Sequence, residues 1–426
     1  MIDVRVILVA GGRGSRSDNP KLPKILQMLD PNTSILFHHL ANIVQWGIKK
    51  VTISLGYGAQ EVIQATLDLQ DSFPQLEVEF TLDGEDTRGT CDALKQVTAN
   101  MQEEFLIVIY GDVVVQAPLD HYLKDFIQTN DSVLIVTHPN LHPEDSDSIV
   151  YSDTNLVLGI EKKGKARRSD TPFRSPCGVF IMRREAFAHI DAASIDFTEA
   201  LCTAISHELR VRVRVVSHYF KDSGTPLRLR EVRKDWTSGA TRKRGSRENR
   251  PGLFVDRDGT LVPDIGSDRA DVDSEEVSKF LTTIIKQANS KAIPVFVVTN
   301  QPGIAKGEIK ANDVLRVQSR IEETLLKEGA IIDDFRWCPH HPEKGFTGEV
   351  VNLKILCDCR KPAPGMVLDL CKLHSIDLST SMFIGDSRAD LELSKNLNMT
   401  FCLFDIKRQE TWNTTEEKFL NKFWDR

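Results

Sequence analysis

Short apolar runs alternate with longer amphipathic stretches along most of the chain, and the alternation breaks once, past its middle. A run of four to eight apolar residues bounded by turn signals reads as a buried strand. On that basis the first part predicts a strand over Val4–Leu8, a glycine loop, and a helix around Ile35–Trp46. A strand over Val51–Leu55, a helix from about Ala59, and a strand over Phe105–Tyr110 ending at Gly111-Asp112 follow. Beyond Val133–Val136 the pattern shortens and becomes strand-rich, with a helix expected over Ile195–Leu209. Residues 234–250, KDWTSGATRKRGSRENR, are polar, basic and almost free of apolar positions, which predicts a linker of solvated charge. The pattern restarts with a strand at Leu253 and a helix around Glu275–Asn289, then a strand over Ile293–Val298 and a helix over Ala311–Lys327. A helix Gly365–Leu373, a strand Met382–Ile384 and a helix Asp390–Asn396 complete it. Strands alternating with helices predict sheets covered on both faces. The expected fold is therefore α/β, with two doubly wound parallel-sheet domains over 1–233 and 251–426 and no internal repeat.

Length agrees: 426 residues at about 100–200 per domain make two or three domains. With 41% hydrophobic and 27% charged residues the composition is that of a soluble globular chain. A formal charge of −7 argues against a general nucleic-acid binder, while leaving room for a local basic groove. No apolar run reaches the roughly 18 residues of a membrane span, and the opening MIDVRVILVAGG lacks a basic leader. A cytoplasmic location is expected, with no nucleic-acid or membrane partner. Cys91, Cys177, Cys202, Cys371 and Cys402 are expected as buried thiols. Cys338, Cys357 and Cys359 cluster with histidines, which points to metal binding rather than disulfides.

Four motifs in the second domain carry chemistry. Asp256-Arg257-Asp258-Gly259-Thr260 directly follows an apolar strand, where open α/β sheets place ligands. The glycine after the two carboxylates permits a turn that brings both to one pocket. Asp256 can then attack phosphorus while Asp258 handles the proton on the leaving or entering oxygen. The plainer alternative is a turn with two acids. Thr299 and Asn300, at the next strand end, offer a hydroxyl and an amide to phosphoryl oxygens, although both are ordinary turn residues too. Lys361, before Pro362, offers a point charge to phosphate and to the nucleophile. Asp386, in Ile384-Gly385-Asp386, would bind Mg²⁺ together with Asp256, removing the repulsion between carboxylate and phosphate.

The order Asp-x-Asp-Gly-Thr, Thr-Asn, Lys-Pro, Gly-Asp resembles the haloacid dehalogenase-type (HAD) phosphatases over Leu253–Phe404. The strings DRDGT, VVTNQPGIAKG, CPHHP and CDCRKPAPGM resemble the D-glycero-D-manno-heptose-1,7-bisphosphate 7-phosphatases, with the histidinol-phosphate phosphatases as a sister group. That resemblance implies an aspartyl-phosphate mechanism with Asp256 as nucleophile and Asp258 as general acid and base. It implies that Thr299, Asn300 and Lys361 hold the phosphoryl group, and that Mg²⁺ is bound by Asp256, Asp386 and the backbone of Asp258. Arg360 is implied to contact the substrate's sugar or second phosphate. One position departs: the heptose enzymes carry lysine after Gly-Asp, and here Ser387 stands there, so that GDSRAD leans toward the histidinol-phosphatase form.

Cys338-Pro339-His340 and Cys357-Asp358-Cys359 supply three thiols and an imidazole, a closed tetrahedral set of the kind that holds structural zinc. The one-residue spacers differ from the usual two, and the resemblance supplies them. His341 is an alternative ligand to His340. A full ligand set leaves no open position, so zinc in the loop 338–359 would stiffen it and present Arg360 and Lys361 to the pocket.

In the first domain Ala10-Gly11-Gly12-Arg13-Gly14-Ser15-Arg16 follows the first strand. Gly11, Gly12 and Gly14 would let backbone N–H groups approach a phosphate, and Arg16 and Lys24 add positive charge. A plain strand–helix turn would account for the glycines equally well. No Gly-Lys-Ser/Thr follows, and the third glycine of a dinucleotide fingerprint is missing. With Gly89-Thr90, Gly111-Asp112, Glu161-Lys162 and the Asp222 segment KDSGTP, the loop resembles the sugar-1-phosphate nucleotidyltransferases over Val4–Arg233. The resemblance implies a Rossmann-like domain whose loop cradles nucleotide phosphates and whose Lys24 stabilises charge at the α-phosphate. Asp112 and Asp222 would hold Mg²⁺, and Glu161 and Lys162 would contact the sugar phosphate. Gly-Ser-Arg-Ser replaces the usual Gly-Thr-Arg-Leu, and Gly-Thr-Cys-Asp-Ala replaces Gly-Thr-Gly-Gly-Ala, which leaves base and sugar open.

The two resemblances together imply a bifunctional enzyme. It would release the 7-phosphate of a heptose bisphosphate and join the remaining heptose 1-phosphate to a nucleotide from an NTP. The alternative is a histidinol-phosphate-type or other small-molecule phosphatase fused to a sugar-nucleotide-binding domain without turnover. A nucleic-acid end-processing phosphatase is a third reading, opposed by the acidic total and by the absence of a kinase loop.

Overall fold

The apolar runs become the central strands of two separate sheets. The structure, a computed structural model, describes residues 2–12, 22–84, 87–142, 145–164, 172–190, 194–205, 209–264 and 276–407. The first sheet contains β1 (Val4–Val9), β2 (Lys50–Leu55), β3 (Glu77–Leu82), β4 (Phe105–Tyr110), β5 (Val133–Pro139), β6 (Arg174–Arg183) and β7 (Val211–Val215), in the order 7-5-6-4-1-2-3. It is mixed rather than parallel throughout, because β6 runs antiparallel to β4 and β5. The strand-rich segment accounts for this: between β5 and β6 the chain passes through the antiparallel pair Ser148–Tyr151 and Val157–Glu161. The second sheet is parallel, with β8 (Leu253–Val255), β9 (Val295–Asn300), β10 (Asp334–Cys338), β11 (Met382–Gly385) and β12 (Thr400–Leu403) in the order 10-9-8-11-12.

Both orders reverse beside the first strand of the sheet, between β1 and β4 and between β8 and β11. Such a reversal opens a crevice at the carboxyl ends of the strands. Residues 253–255 and 295–298 are fully buried because these inner strands are covered on both faces. The helix Lys279–Ser290 buries Leu281, Ile284, Ile285 and Ala288 at helical spacing, and Ser278 caps it by accepting from Leu281 N–H. It starts later than the pattern suggests, and β9 runs to Asn300, so Thr299 and Asn300 lie in the strand end itself. The helix expected over 195–209 is Phe197–Ala204 among the described residues, capped by Asp196.

Residues 234–250 are largely helical, where the sequence suggests a linker of solvated charge. The helix Pro226–Thr237 runs into them, and Ala240–Arg244 forms a second short helix after Gly239 turns through φ +77°. Their arginines find partners in both halves of the molecule. Arg250 is buried and donates to Ser217 Oγ at 2.7 Å and to His374 O at 3.3 Å. Arg244 reaches Asp333 at 3.4 Å, and Arg247 donates to Gln45 O at 2.8 Å.

The two halves meet through further buried polar contacts. His374 bonds Ser217 Oγ at 3.0 Å through Nδ1 and Asp334 at 2.9 Å through Nε2. Arg174, which has no exposed surface, makes a two-pronged contact with Glu322 at 2.6 and 3.2 Å. Removing one partner of a buried pair strands the other charge. Arg174→Ala is therefore expected to lower unfolding stability by about 3–5 kcal/mol, read by denaturant titration. A loss below about 1 kcal/mol, the worth of a solvent-exposed pair, would mean that the halves do not stay packed in solution.

Candidate active sites

Three neighbouring strand ends build the site of the second sheet. Asp256 follows β8, Thr299 and Asn300 end β9, and Asp386 follows β11. After Asp258 the chain turns through Gly259 at φ +85°, and a Cβ there would lie 2.2 Å from Asp386 Oδ2, so only glycine lets the two strand ends come this close. The carboxylates of Asp256, Asp386 and Asp390 lie within 4.8 Å of one another. Lys361 is buried among them, 2.6 Å from Asp256 Oδ1, 2.7 Å from Asp390 Oδ1, and donating to Val298 O at 2.9 Å. Asn300 holds the backbone of Lys361 by two hydrogen bonds, at 3.0 and 3.1 Å. The Lys361–Pro362 peptide is cis.

The electrostatics follow from burial. Burial raises the Asp256 carboxyl, with Lys361 opposing and the charges of Asp390 and Asp258 adding to the rise. Burial likewise raises Asp386, helped by the neighbouring Asp390. Burial works to lower the Lys361 ammonium, but Asp256 and Asp390 outweigh it and hold its pKa above the ordinary value. Three carboxylates against one ammonium leave an excess of negative charge, and oxygen donors clustered in this way suit a hard divalent cation.

Asp258 stands apart from that cluster. It accepts from Thr299 Oγ1 at 3.1 Å, from Gln301 Nε2 at 2.6 Å and from Arg257 Nε at 3.1 Å. The carboxylate is thereby held at the edge of a cavity of about 470 Å³ that Asp256, Thr299, Asn300, Lys361 and Asp386 also line. Lys306, Glu308 and Asp313 line it as well. The site thus places a buried carboxylate, Asp256, beside an ammonium, with a second carboxylate, Asp258, held separately at the same cavity. Arg360 is not among the residues lining this cavity; its guanidinium donates to His340 O at 3.3 Å.

The motifs alone assign no role to Gln301 or Asp390. Gln301 could have been found from its place in the Thr-Asn-Gln strand end. Asp390 could not: Ser387 and Asp390 form a capping box on the helix Arg388–Asn396, which explains the acid fully from the local sequence.

In the loop, Cys338, His340, Cys357 and Cys359 gather within 4.8 Å. The Cys359 sulfur lies 3.1 Å from Cys338 Sγ, 3.3 Å from Cys357 Sγ and 3.2 Å from His340 Nδ1. Zn–S bonds of about 2.3 Å in a tetrahedron place sulfurs about 3.8 Å apart, so the donor set and its compactness fit zinc. His341 turns away, with its ring edge-on to Phe346.

The first sheet brings together Lys24, Asp112 and Asp222. Lys24 Nζ lies 2.7 Å from Asp112 Oδ2. A Cβ at Gly224 would sit 2.8 Å from Lys24 Nζ, 2.8 Å from Asp222 Oδ1 and 3.0 Å from Asp112 Oδ2, so all three converge on one glycine. Arg228 pairs with Asp222 and with Asp145. Gly11 and Gly12 end the described part of the glycine loop, and Gly14 and Arg16 lie outside the described residues. Gly89 opens the helix Gly89–Thr98 at φ +68°, and Thr90 Oγ1 accepts from Phe197 N–H at 3.0 Å. Glu161 ends the strand Val157–Glu161, while Lys162 lies between Asp147 at 3.2 Å and Glu199 at 2.9 Å.

Comparison with known proteins agrees with this division. Residues 6–208 match the MobA-like NTP transferase domain family, and residues 358–411 match the HAD-hydrolase-like family. The chain thus joins an N-terminal NTP transferase domain to a C-terminal HAD-like phosphatase domain. Over 153 residues it is 38% identical to the D-glycero-beta-D-manno-heptose-1,7-bisphosphate 7-phosphatase of Rhodopseudomonas palustris, covering 35% of this chain and 81% of that protein. The Escherichia coli K12 protein of the same name is 31% identical over 149 residues, covering 35% and 75%. Through its C-terminal domain the chain belongs to the D-glycero-beta-D-manno-heptose-1,7-bisphosphate 7-phosphatase family. Among solved structures, HddC from Yersinia pseudotuberculosis is 20% identical over 55% of this chain and 99% of that one, with a TM-score of 0.45. No helix among the described residues is long and apolar enough to cross a membrane.

Proposed function

We propose that the chain is a bifunctional enzyme of nucleotide-activated heptose formation, acting in the cytoplasm. The C-terminal site would remove the 7-phosphate of D-glycero-D-manno-heptose 1,7-bisphosphate, and the N-terminal site would transfer a nucleotidyl group from an NTP to heptose 1-phosphate. The observation that carries the reading is the gathering of Asp256, Asp386, Asp390 and Lys361 beside one cavity that Asp258 also lines.

In this reading Asp256 attacks phosphorus and Asp258 gives a proton to the departing sugar oxygen. Asp258 then takes a proton from the water that cleaves the aspartyl-phosphate. Lys361, Thr299 and Asn300 hold the phosphoryl oxygens, and Lys361 opposes the rise that burial imposes on the Asp256 carboxyl. Asp256, Asp386 and the backbone of Asp258 would hold Mg²⁺, which supplies charge neutralisation when bound. At the other site the sugar phosphate attacks the α-phosphorus in line and expels pyrophosphate. Lys24 stabilises the charge there, and the glycine loop cradles the remaining phosphates. Asp112 and Asp222 would hold its metal, with Arg228 releasing Asp222. Glu161, Lys162, Gly89 and Thr90 line the path of the sugar phosphate in this scheme, and Arg360 must swing from His340 to reach substrate.

Incubation with heptose bisphosphate and each NTP tests both activities together. Phosphate followed by pyrophosphate release is expected; pyrophosphate release with hexose phosphates alone would remove the heptose assignment. Ser387 favours a second reading, a histidinol-phosphate phosphatase, which the same panel separates.

The Cys338, His340, Cys357 and Cys359 set would hold zinc, which stiffens the loop carrying Lys361. Stripping zinc, then restoring Mg²⁺ alone, should lower phosphate release roughly 100-fold, the cost of about 1 Å of misplacement. Pyrophosphate release should be unchanged. Metal content and thermal unfolding confirm the stripping, and full phosphatase activity in zinc-free protein would rule out this role.

A further inference from the structure

The carboxylates proposed to hold the transferase metal are already matched by cations of the chain itself. Lys24 Nζ lies 2.7 Å from Asp112 Oδ2. Asp222 accepts from Gly224 N–H through Oδ1 and pairs with the Arg228 guanidinium through Oδ2. The other end of that guanidinium lies 2.7 Å from Asp145, which Lys163 approaches to 3.8 Å. Asp112, Asp222 and Asp145 thus meet Lys24, Arg228 and Lys163, one cation for each carboxylate. The helix that carries Arg228 does not explain it. Arg228 stands in the first turn of Pro226–Thr237, where Thr225 Oγ1 accepts its N–H at 3.3 Å. A helix N-terminus favours anions, so a cation in that turn works against the helix dipole. Its partners account for it instead, Asp222 on one side and Asp145 on the other.

The site of the second sheet is built differently. There Asp256, Asp386 and Asp390 face the single ammonium of Lys361, a negative excess that suits a divalent cation arriving alone. At the first sheet a lone cation would have to displace Lys24 and Arg228, whose side chains are each 19% exposed, and would leave their charges unpaired beside its own. A cation arriving with a triphosphate brings the compensation with it. Magnesium cancels part of the nucleotide's charge, and the remaining phosphate oxygens can take an ammonium and a guanidinium.

We propose that Arg228, together with Lys24, bars free divalent cations from the transferase site and admits them only as their nucleotide complex; this rests on the transferase reading above. On loading, Asp112 and Asp222 pass from the two side chains to the cation, and Lys24 and Arg228 pass to the phosphates. Arg228 can stay anchored on Asp145 during the exchange, because its two contacts use different nitrogens. The chain then holds two cation sites with opposite loading rules. The phosphatase takes its metal from solution, and the transferase takes it with its substrate.

Mn²⁺ is titrated into the full chain without nucleotide, and the free ion is read by electron paramagnetic resonance. Asp386→Asn serves as the background, because it removes a carboxylate from the phosphatase site. Adding Arg228→Gln to that background is expected to tighten Mn²⁺ binding about 10- to 100-fold, the worth of one fixed charge beside a partly exposed ion. Adding Asp222→Asn as well should cancel the gain, which assigns it to this site. Lys24→Gln in place of Arg228→Gln should tighten binding in the same way, and it carries the test if Arg228→Gln does not fold. Damage to the fold alone would not raise affinity for a metal. Calorimetry of ATP, GTP, CTP and UTP on the wild type with Mn²⁺ separates this proposal from the reading it rests on. If a nucleotide binds and the folded variant gains no Mn²⁺ affinity, the barrier is overturned and the transferase reading stands. If none of the nucleotides binds, the transferase reading falls and takes this proposal with it.

Discussion

Asp256→Asn is expected to lower phosphate release by about 10⁴- to 10⁶-fold, the usual loss when a catalytic nucleophile is removed, while pyrophosphate release stays at the wild-type rate. The amide has the shape of the carboxylate but cannot attack phosphorus. The fold should tolerate the change, because burial already disfavours charge at Asp256 and Lys361 keeps Asp390 as a partner at 2.7 Å. The reciprocal variant, Asp112→Asn, should silence pyrophosphate release and spare phosphate release. Asp112 follows a strand of the first sheet and Asp256 a strand of the second, so in the proposed scheme the two reactions share no side chain. Parallel assays of phosphate and pyrophosphate on the same preparations decide the matter. A folded Asp256→Asn that loses both activities would contradict two independent sites.

The sequence made this site legible because parallel strands are apolar throughout and ligands gather where they end. Leu253–Val255 and Val295–Val298 announce themselves as buried strands, and the residues just past them, Asp256 and Thr299, follow without coordinates. What stayed hidden depends on contacts far along the chain. Asp390 satisfies a helix cap with Ser387, and nothing local shows that Lys361 reaches its other oxygen. The charges of residues 234–250 look solvated until Ser217, Asp333 and the backbone of His374 are placed against Arg250 and Arg244. The choice between His340 and His341 turns on loop geometry: one ring nitrogen lies 3.2 Å from Cys359 Sγ, and the other ring packs on Phe346. The antiparallel direction of β6 is likewise set by the excursion through Ser148–Glu161 rather than by any pattern within the strand.

Lys361→Met should cost about 3–5 kcal/mol of stability, the penalty for stranding buried charge, and should also abolish phosphate release. The Lys361 side chain is 3% exposed and its ammonium lies between Asp256 and Asp390, whose side chains are 9% and 0% exposed, so solvent screens neither contact. Methionine keeps most of the volume and removes the charge, which leaves two buried carboxylates facing each other with Asp386 nearby. Residues joined in one network do not contribute additively, and the coupling can be measured. Adding Asp256→Asn to Lys361→Met takes away one of the stranded charges, so the double variant is expected to regain roughly 1–3 kcal/mol over Lys361→Met alone. Urea unfolding of the wild type, both single variants and the double variant closes the cycle. If Lys361→Met proves as stable as the wild type, or the two changes simply add, Lys361 is not enclosed between these carboxylates in solution. Lys361 would then not be the group that opposes the burial-driven rise of the Asp256 carboxyl.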